Sequence, residues 1–286
     1  MEAELKELLT LLDIEQIEMN LFRGLSPKEG WQRVYGGQVI GQALVAASRT
    51  VADTNRLAHS LHGYFLRPGD TTIPILYSVD RIRDGRSFNT RRVVAVQRGE
   101  AIFSMSVSFQ VSEDGLHHQT AMPEVKPPED CPSDADLREK YAADIPDDLQ
   151  YFNRSRPIEM RFVEPVNDFN PEPMPPYQHV WIRAIDKMPD DPRLQQCLLA
   201  YASDMTLLDT CYRPHAIGWS SEDFQVASLD HAMWFHQPFK TDEWLLYQQD
   251  SPYSGGARGF SRGSFYSQDG KLIASAAQEG LIRLRQ

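Results

Sequence analysis

The sequence predicts an α+β protein built as two tandem repeats, each a curved antiparallel sheet wrapped around one central helix. Three observations lead there. Two strongly apolar helical runs, 36–48 and Pro192–Thr210, are each followed by β-rich runs of alternating character. Those runs are separated by Pro-Gly, Asp-Gly and Arg-Gly pairs, the punctuation of an antiparallel meander. The second half also repeats the first: Tyr64-Phe65-x-x-Pro68 answers Trp234-Phe235-x-x-Pro238, and Arg91 and Gly99 answer Arg262 and Gly270 at one shared offset. A repeat this long is the duplication of a whole small domain rather than a solenoid, and two copies can join into one continuous sheet.

The chain opens on an acidic amphipathic segment whose Leu5, Leu8, Leu9 and Leu12 predict a short docking helix, and which lacks the basic, apolar character of a signal peptide. Residues 14–24 read as a strand. The helix over 36–48 opens on Gly36-Gly37, and four strand runs follow it up to Val111. From Ser112 the chain turns rich in proline and acid, with only SDADLREKYAAD resembling a helix, which predicts a connector over 112–155 between an N-terminal unit (1–111) and a C-terminal unit (156–286). Strands at 156–162 and 179–185 precede the second helix. In that helix Leu194, Leu198, Tyr201, Met205 and Leu208 recur at helical spacing, and Cys197, Leu199, Ala202 and Leu207 widen the stripe until little polar surface remains. Asp190 or Asp191 can cap its start, and Pro192 suits its first turn. Asp204 lies on the border of that stripe, where a carboxylate is costly unless it is bonded or paired.

Composition sets bounds. Of 286 residues, 41% are hydrophobic and 24% charged, ordinary for a globular chain with a sizeable core. A net charge of −11 argues against general binding to nucleic acid or anionic membrane, and no apolar run approaches the roughly 20 residues needed to span a bilayer. Cys131, Cys197 and Cys211 have no metal-type spacing and read as reduced thiols in a cytoplasmic protein. Gly259-Phe260-Ser261-Arg262-Gly263 matches the nucleophile-elbow pattern, yet it sits inside a strand run and no histidine follows His236, so a serine-hydrolase reading fails on context. The His59/His62 and His231/His236 pairs lack a third ligand at recognisable spacing, so no metal is expected.

Several blocks together, namely GGQVIGQAL, HSLHGYFLRPGD, DGRSFNTRRV, YASD, LDHAMWFH, EWLLY, ARGF and QEGLIR, resemble the acyl-CoA thioesterase II (TesB-type) family, nearly end to end. The resemblance implies a double hotdog fold and a water-activating set of Asp, Thr or Ser, and Gln, which falls on Asp204, Ser228 and Gln278. Serine in place of threonine keeps the hydroxyl. It further implies hydrolysis of medium- to long-chain fatty acyl-CoA to free fatty acid and CoA, with no cofactor, by a homo-oligomer (dimer or tetramer). The three residues also have the chemistry that hydrolysis needs, a carboxylate to take a proton and two neutral groups to orient the water. The first-half helix carries Gln38 and Gln42 but no carboxylate, so one site per chain is expected. Further expectations are a helix-opening N–H at Gly36 or Gly37 as oxyanion donor, a ligand contact at His59, and a cradle for the CoA phosphates among Arg81, Arg83, Arg86, Arg91, Arg92 and Arg98, with Arg86 and Arg91 as the leading candidates. The competing class is a non-catalytic acyl-CoA sensor on the same fold.

Overall fold

The structure, a computed structural model, describes residues 1–27, 33–146, 154–218, 221 and 223–285. Helix α1 (Ala3–Leu12) docks through Leu5, Leu8 and Leu12, all buried. The stretch expected as one strand is instead a hairpin, β1 (Glu15–Glu18) and β2 (Leu21–Gly24). The turn at Met19-Asn20 is closed by the Glu18 side chain, which accepts from Met19 N–H, and Asn20 is a residue type that tolerates tight turns. Helix α2 (Gly36–Arg49) is buried along almost its whole length, and β3 (Leu57–Phe65), β4 (Ile75–Asp84), β5 (Phe88–Gln97) and β6 (Glu100–Gln110) follow as the turn residues predict. In the second half come α3 (Asp134–Lys140), β7 (Ile158–Phe162), β8 (Tyr177–Ala184), α4 (Pro192–Ala202), β9 (Phe224–Ser228), β10 (Asp230–Phe235), β11 (Leu245–Gly255), β12 (Arg258–Ser267) and β13 (Leu272–Leu284).

The strands make one sheet in the order β1-β2-β4-β5-β6-β3-β10-β13-β12-β11-β8-β7, with β9 pairing on β13. The order reads the same from either end once β3 is matched with β10, β6 with β13, β5 with β12 and β4 with β11, which is the duplication seen in sequence. The halves join through β3 and β10, paired antiparallel from Asp230↔Tyr64 to Trp234↔Ser60. Alternate residues of the strands turn inward, as in β5, and close with both helices into one apolar core that includes Ile40, Leu44, Leu198, Leu199, Phe103 and Phe265. The Gly99 and Gly270 turns correspond, both with positive φ. The arginines do not: Arg91 points inward and is 1% exposed, whereas Arg262 faces out and pairs with Asp250. Arg91 pairs with Val107, whereas Arg262 pairs with Ala277 rather than with Gln278, the counterpart of Val107, so the two hairpins differ in register by one residue, and a one-residue slip exchanges faces.

The central helices run antiparallel. Arg193, in the first turn of α4, donates to the carbonyls of Ser48, Val51, Asp53 and Arg56 at the end of α2, while Tyr35, capping the start of α2, donates to Tyr201 O near the end of α4. Residues 122–131 of the connector lie against the second half of the sheet. Lys126 O accepts from Trp181 Nε1 at 2.9 Å, and Met122 and Val125 pack on Cys131, Trp181, Trp244, Leu246 and Tyr266.

The second central helix also differs from expectation. The helix predicted to continue to Thr210 ends at Ala202, and short 3-10 turns carry the chain on through Leu208–Cys211. Carbonyls that a continuing helix would use are taken from outside: Ser203 O accepts from Tyr247 OH, and Thr206 O from Gln178 Nε2. The Ser-Asp-x-Thr run also offers side chains that compete with the helical ladder, as Ser203 Oγ does on Ala200 O.

Candidate active site

Asp204 follows the last residue capping α4, so it leaves the helix rather than riding in its middle. Its Oδ1 accepts from Gln278 Nε2 at 2.6 Å and from Ser228 Oγ at 3.4 Å. The sheet register explains the convergence. Ser228 ends β9 opposite Gly280 of β13, two residues from Gln278, so the two side chains are diagonal neighbours on one face. Immediately after Ser228 the strand breaks at Leu229, whose N–H bonds Glu279 O and whose carbonyl takes Phe65 N–H from the first half. Such irregularities re-aim a side chain. The three predicted residues, separated by up to 74 positions, therefore meet.

The fourth side of the carboxylate is the opening turn of α2. A Cβ on Gly36 would lie 2.6 Å from Asp204 Oδ2, and one on Gly37 would lie 2.2 Å from Tyr201 O. Both glycines are needed for the carboxylate and the end of α4 to come this close. The helix dipole favours negative charge at this point.

Burial nevertheless dominates and raises the pKa of Asp204 to about 6, against the opposing hydrogen bonds from Gln278, the Gly37 backbone and Ser228. Other titratable groups feel the same charge. The phenols of Tyr35 and Tyr247 are held well above their usual range by burial and then by Asp204, and Asp209 is raised to about 7, chiefly by burial. An acid with a pKa near 6 is largely carboxylate at neutral pH and still basic enough to take a proton. Gln278 is fully buried, and its Oε1 has no hydrogen-bond partner among the described residues. A buried acceptor left open beside a carboxylate suits a bound water or substrate group.

Other expected site residues are placed differently. Gly37 N–H turns to Asp204, so the expectation of a free oxyanion donor is corrected at Gly37, and Asp191 Oδ1 takes the N–H groups of Arg193 and Leu194 that open α4. Arg91 is also corrected as a phosphate ligand: its guanidinium is taken up by Thr50 Oγ1, Thr50 O, Arg83 O, Thr90 O and Asp84. His59 lies near the far end of β3 with its ring edge-on to Phe88 at 5.7 Å. Arg86 is exposed beyond that end, where its carbonyl accepts from Arg56. Phe65, at the opposite end of β3, is the residue that packs beside Gly36, so Arg86 is about 25 Å away by strand length. The structure does not bring either residue to Asp204.

A small cleft lies against the same helix start, lined by Leu11, Val34, Tyr35, Gln38, Thr71 and Tyr201, with Arg33 exposed at its rim. Tyr35 and Tyr201 form a wall common to it and to the Asp204 site, their rings edge to face at 5.1 Å. The sequence reading missed Tyr35 and Arg33. The signal available was an aromatic residue directly before Gly36-Gly37, which by itself is an ordinary core pattern.

Comparison with known proteins agrees with this architecture. Residues 148–281 match the family model described as acyl-CoA thioesterase, and residues 27–110 match that of the acyl-CoA thioesterase N-terminal domain. Acyl-CoA thioesterase 2 of Haemophilus influenzae is 42% identical, with 99% of each chain covered. Human acyl-coenzyme A thioesterase 8 is 40% identical over 96% of this chain and 88% of its own length. The crystal structure of acyl-CoA thioesterase II TesB2 from Mycobacterium marinum superposes with a TM-score of 0.80 at 44% identity, covering 98% of this chain and 99% of the other. A structure described as having a hot dog fold, from Alicyclobacillus acidocaldarius, shares the fold at 18% identity with a TM-score of 0.79. These relatives do not favour the non-catalytic sensor. The chain is a double hotdog thioester hydrolase and belongs to the acyl-CoA thioesterase II (TesB-type) family.

Proposed function

We propose that this chain hydrolyses medium- to long-chain fatty acyl-CoA to free fatty acid and CoA by direct attack of water, with Asp204 as the base and Gln278 and Ser228 as the groups that orient the water. The water oxygen bonds the thioester carbonyl carbon as its proton passes to Asp204. The tetrahedral intermediate then collapses, the C–S bond breaks, and the proton held by Asp204 goes to the departing CoA sulfur. Gln278 has a double part. Its Nε2 holds Asp204 Oδ1 in place, and its open Oε1 accepts a hydrogen from the water, directing an oxygen lone pair outward. Ser228 Oγ supports the same carboxylate oxygen.

The observation that carries this reading is the meeting of Asp204, Ser228 and Gln278 at one carboxylate oxygen, beside a cleft. It favours water attack over a covalent acyl-enzyme because, among the described residues, no activated serine or thiol stands with them: Ser261, opposite Gln278 in the sheet, is fully buried and takes a hydrogen bond from the Thr210 hydroxyl, and Cys197 and Cys211 are buried, with burial raising both thiols to about 12.

Two measurements test it. Thiol release from acyl-CoA of increasing chain length gives the substrate range, with the highest kcat/KM expected at medium to long chains. A single turnover in H2(18)O, with the protein quenched during the turnover and analysed by mass spectrometry, distinguishes the routes: direct attack places one label in the fatty acid and leaves neither label nor acyl group on the protein, whereas label in Asp204 or an acyl adduct on it signals an anhydride intermediate and overturns water attack.

A further inference from the structure

Ser203, the residue before Asp204, meets a side chain from outside α4 at both its hydroxyl and its carbonyl. Ser203 Oγ donates to Ala200 O at 2.9 Å and meets His231 Nε2 at 2.8 Å. Ser203 O accepts from Tyr247 OH at 2.8 Å. Ser203 and Tyr247 are 0% exposed and His231 is 1% exposed, so water does not compete for these contacts. A serine hydroxyl has one proton. With that proton on Ala200 O, Nε2 of the imidazole carries the hydrogen and donates to Ser203 Oγ. Burial lowers the His231 pKa to about 3, so the ring is neutral throughout the range in which Asp204 titrates.

The Ser203 carbonyl is the one that the N–H of Leu207 would take if the helix continued. Tyr247 occupies it, and its ring is fixed by stacking on Phe265 at 3.8 Å. Ser203 itself keeps helical dihedrals (φ −63°, ψ −22°), so the chain leaves the helix at Asp204, the residue whose carboxylate meets Gln278. The two side chains come from strands that are separated by β13 and β12 in the second half of the sheet, His231 from β10 and Tyr247 from β11, and they converge on Ser203.

We propose that His231 and Tyr247 are positioning residues for the hydrolytic reaction: by clamping Ser203 they end α4 ahead of Asp204 and fix its carboxylate between Gln278 and the opening turn of α2. Neither touches a reacting atom. The inference rests on the reading of Asp204 as the base.

The experiment compares Tyr247→Phe, His231→Leu and His231→Gln with the parent and with Asp204→Asn, measuring kcat, KM, the pH dependence of kcat and Tm. Tyr247→Phe keeps the stacked ring and removes only the hydroxyl, and His231→Gln keeps an N–H donor that His231→Leu lacks. Tyr247→Phe and His231→Leu are expected to lower kcat about tenfold, the contribution of one hydrogen bond, with KM unchanged. The acid limb of kcat should move from near pH 6 toward the ordinary carboxylate value as Asp204 loosens into solvent, and His231→Gln should restore most of the rate. Parent kcat in Tyr247→Phe overturns the proposal, as does a loss of kcat that follows Tm while the acid limb stays in place. If Asp204→Asn is inactive and Tyr247→Phe behaves as the parent, only the positioning role fails. If Asp204→Asn itself keeps the parent rate, the assignment of the base fails and the clamp's role with it.

Discussion

The two halves end their central helices in comparable places and use them for different purposes. In the first half Thr50 caps α2 and meets Arg91 from β5. The five N–H donors of this buried guanidinium are matched by five acceptors, two of them on Thr50. In the second half Asp204 stands just past the cap of α4 and meets Gln278 from β13, whose Oε1 has no partner among the described residues. The sheet pairs behind them correspond in the mirrored order, Arg91↔Val107 on one side and Ser261↔Gln278 on the other. A saturated polar junction holds a fold together. A junction that keeps an acid with a raised pKa and leaves a buried acceptor open serves something other than stability.

Breaking each junction should separate these purposes. Asp204→Asn preserves shape and removes basicity, and kcat is expected to fall at least about 100-fold, the lower range for loss of a general base. Gln278→Ala removes a hydrogen bond to a charged group and should lower kcat by about 10- to 100-fold. Arg91→Met strands the Thr50 and Arg83 carbonyls and should cost roughly 2–3 kcal/mol in denaturant unfolding, while the folded enzyme keeps its kcat. An Arg91→Met enzyme that is stable but inactive would show that the first-half junction also serves catalysis. Ser228→Ala, which loses only a 3.4 Å contact, should reduce kcat by a few-fold.

The pH dependence sharpens the same contrast. With Asp204 as the proposed base, kcat should fall as pH drops through about 6 and level off above it. Asp209, raised to about 7 beside it, is the rival source of such a limb. Asp209→Asn should therefore leave the limb near pH 6, and a limb that disappears in that variant would assign it to Asp209 instead. Stability moves in the opposite sense. The folded-state pKa lies above the unfolded value, so the folded chain binds its proton more tightly, and stability declines as pH rises from about 4 to about 6. Asp204→Asn should raise the unfolding free energy above pH 6 by on the order of 1 kcal/mol, a gain that fades toward pH 4.

The duplication, most of the strand runs and the buried helix expected at 36–48 were legible because they depend on local pattern. Alternating residues and Gly turns specify strands, and an all-round apolar run specifies an enclosed helix. The same logic misjudged the end of α4. Met205 and Leu208 keep the helical spacing, yet Tyr247 and Gln178, arriving from distant strands, take the carbonyls that would have extended it. Arg91 and Arg262 look alike along the chain and face opposite ways, because a register slip in a hairpin leaves the residue pattern unmarked.

Sequence by itself determined which residues have the chemistry for hydrolysis and which family pattern they fit, since side-chain type and order are local properties. Only the tertiary structure decided that Asp204 leaves its helix, that Gly36 and Gly37 make room for its carboxylate, and that Arg91 is committed to the fold. Each of these depends on a partner brought in from far along the chain. A hydrogen bond between residues 74 positions apart exists only after the sheet has closed around both helices.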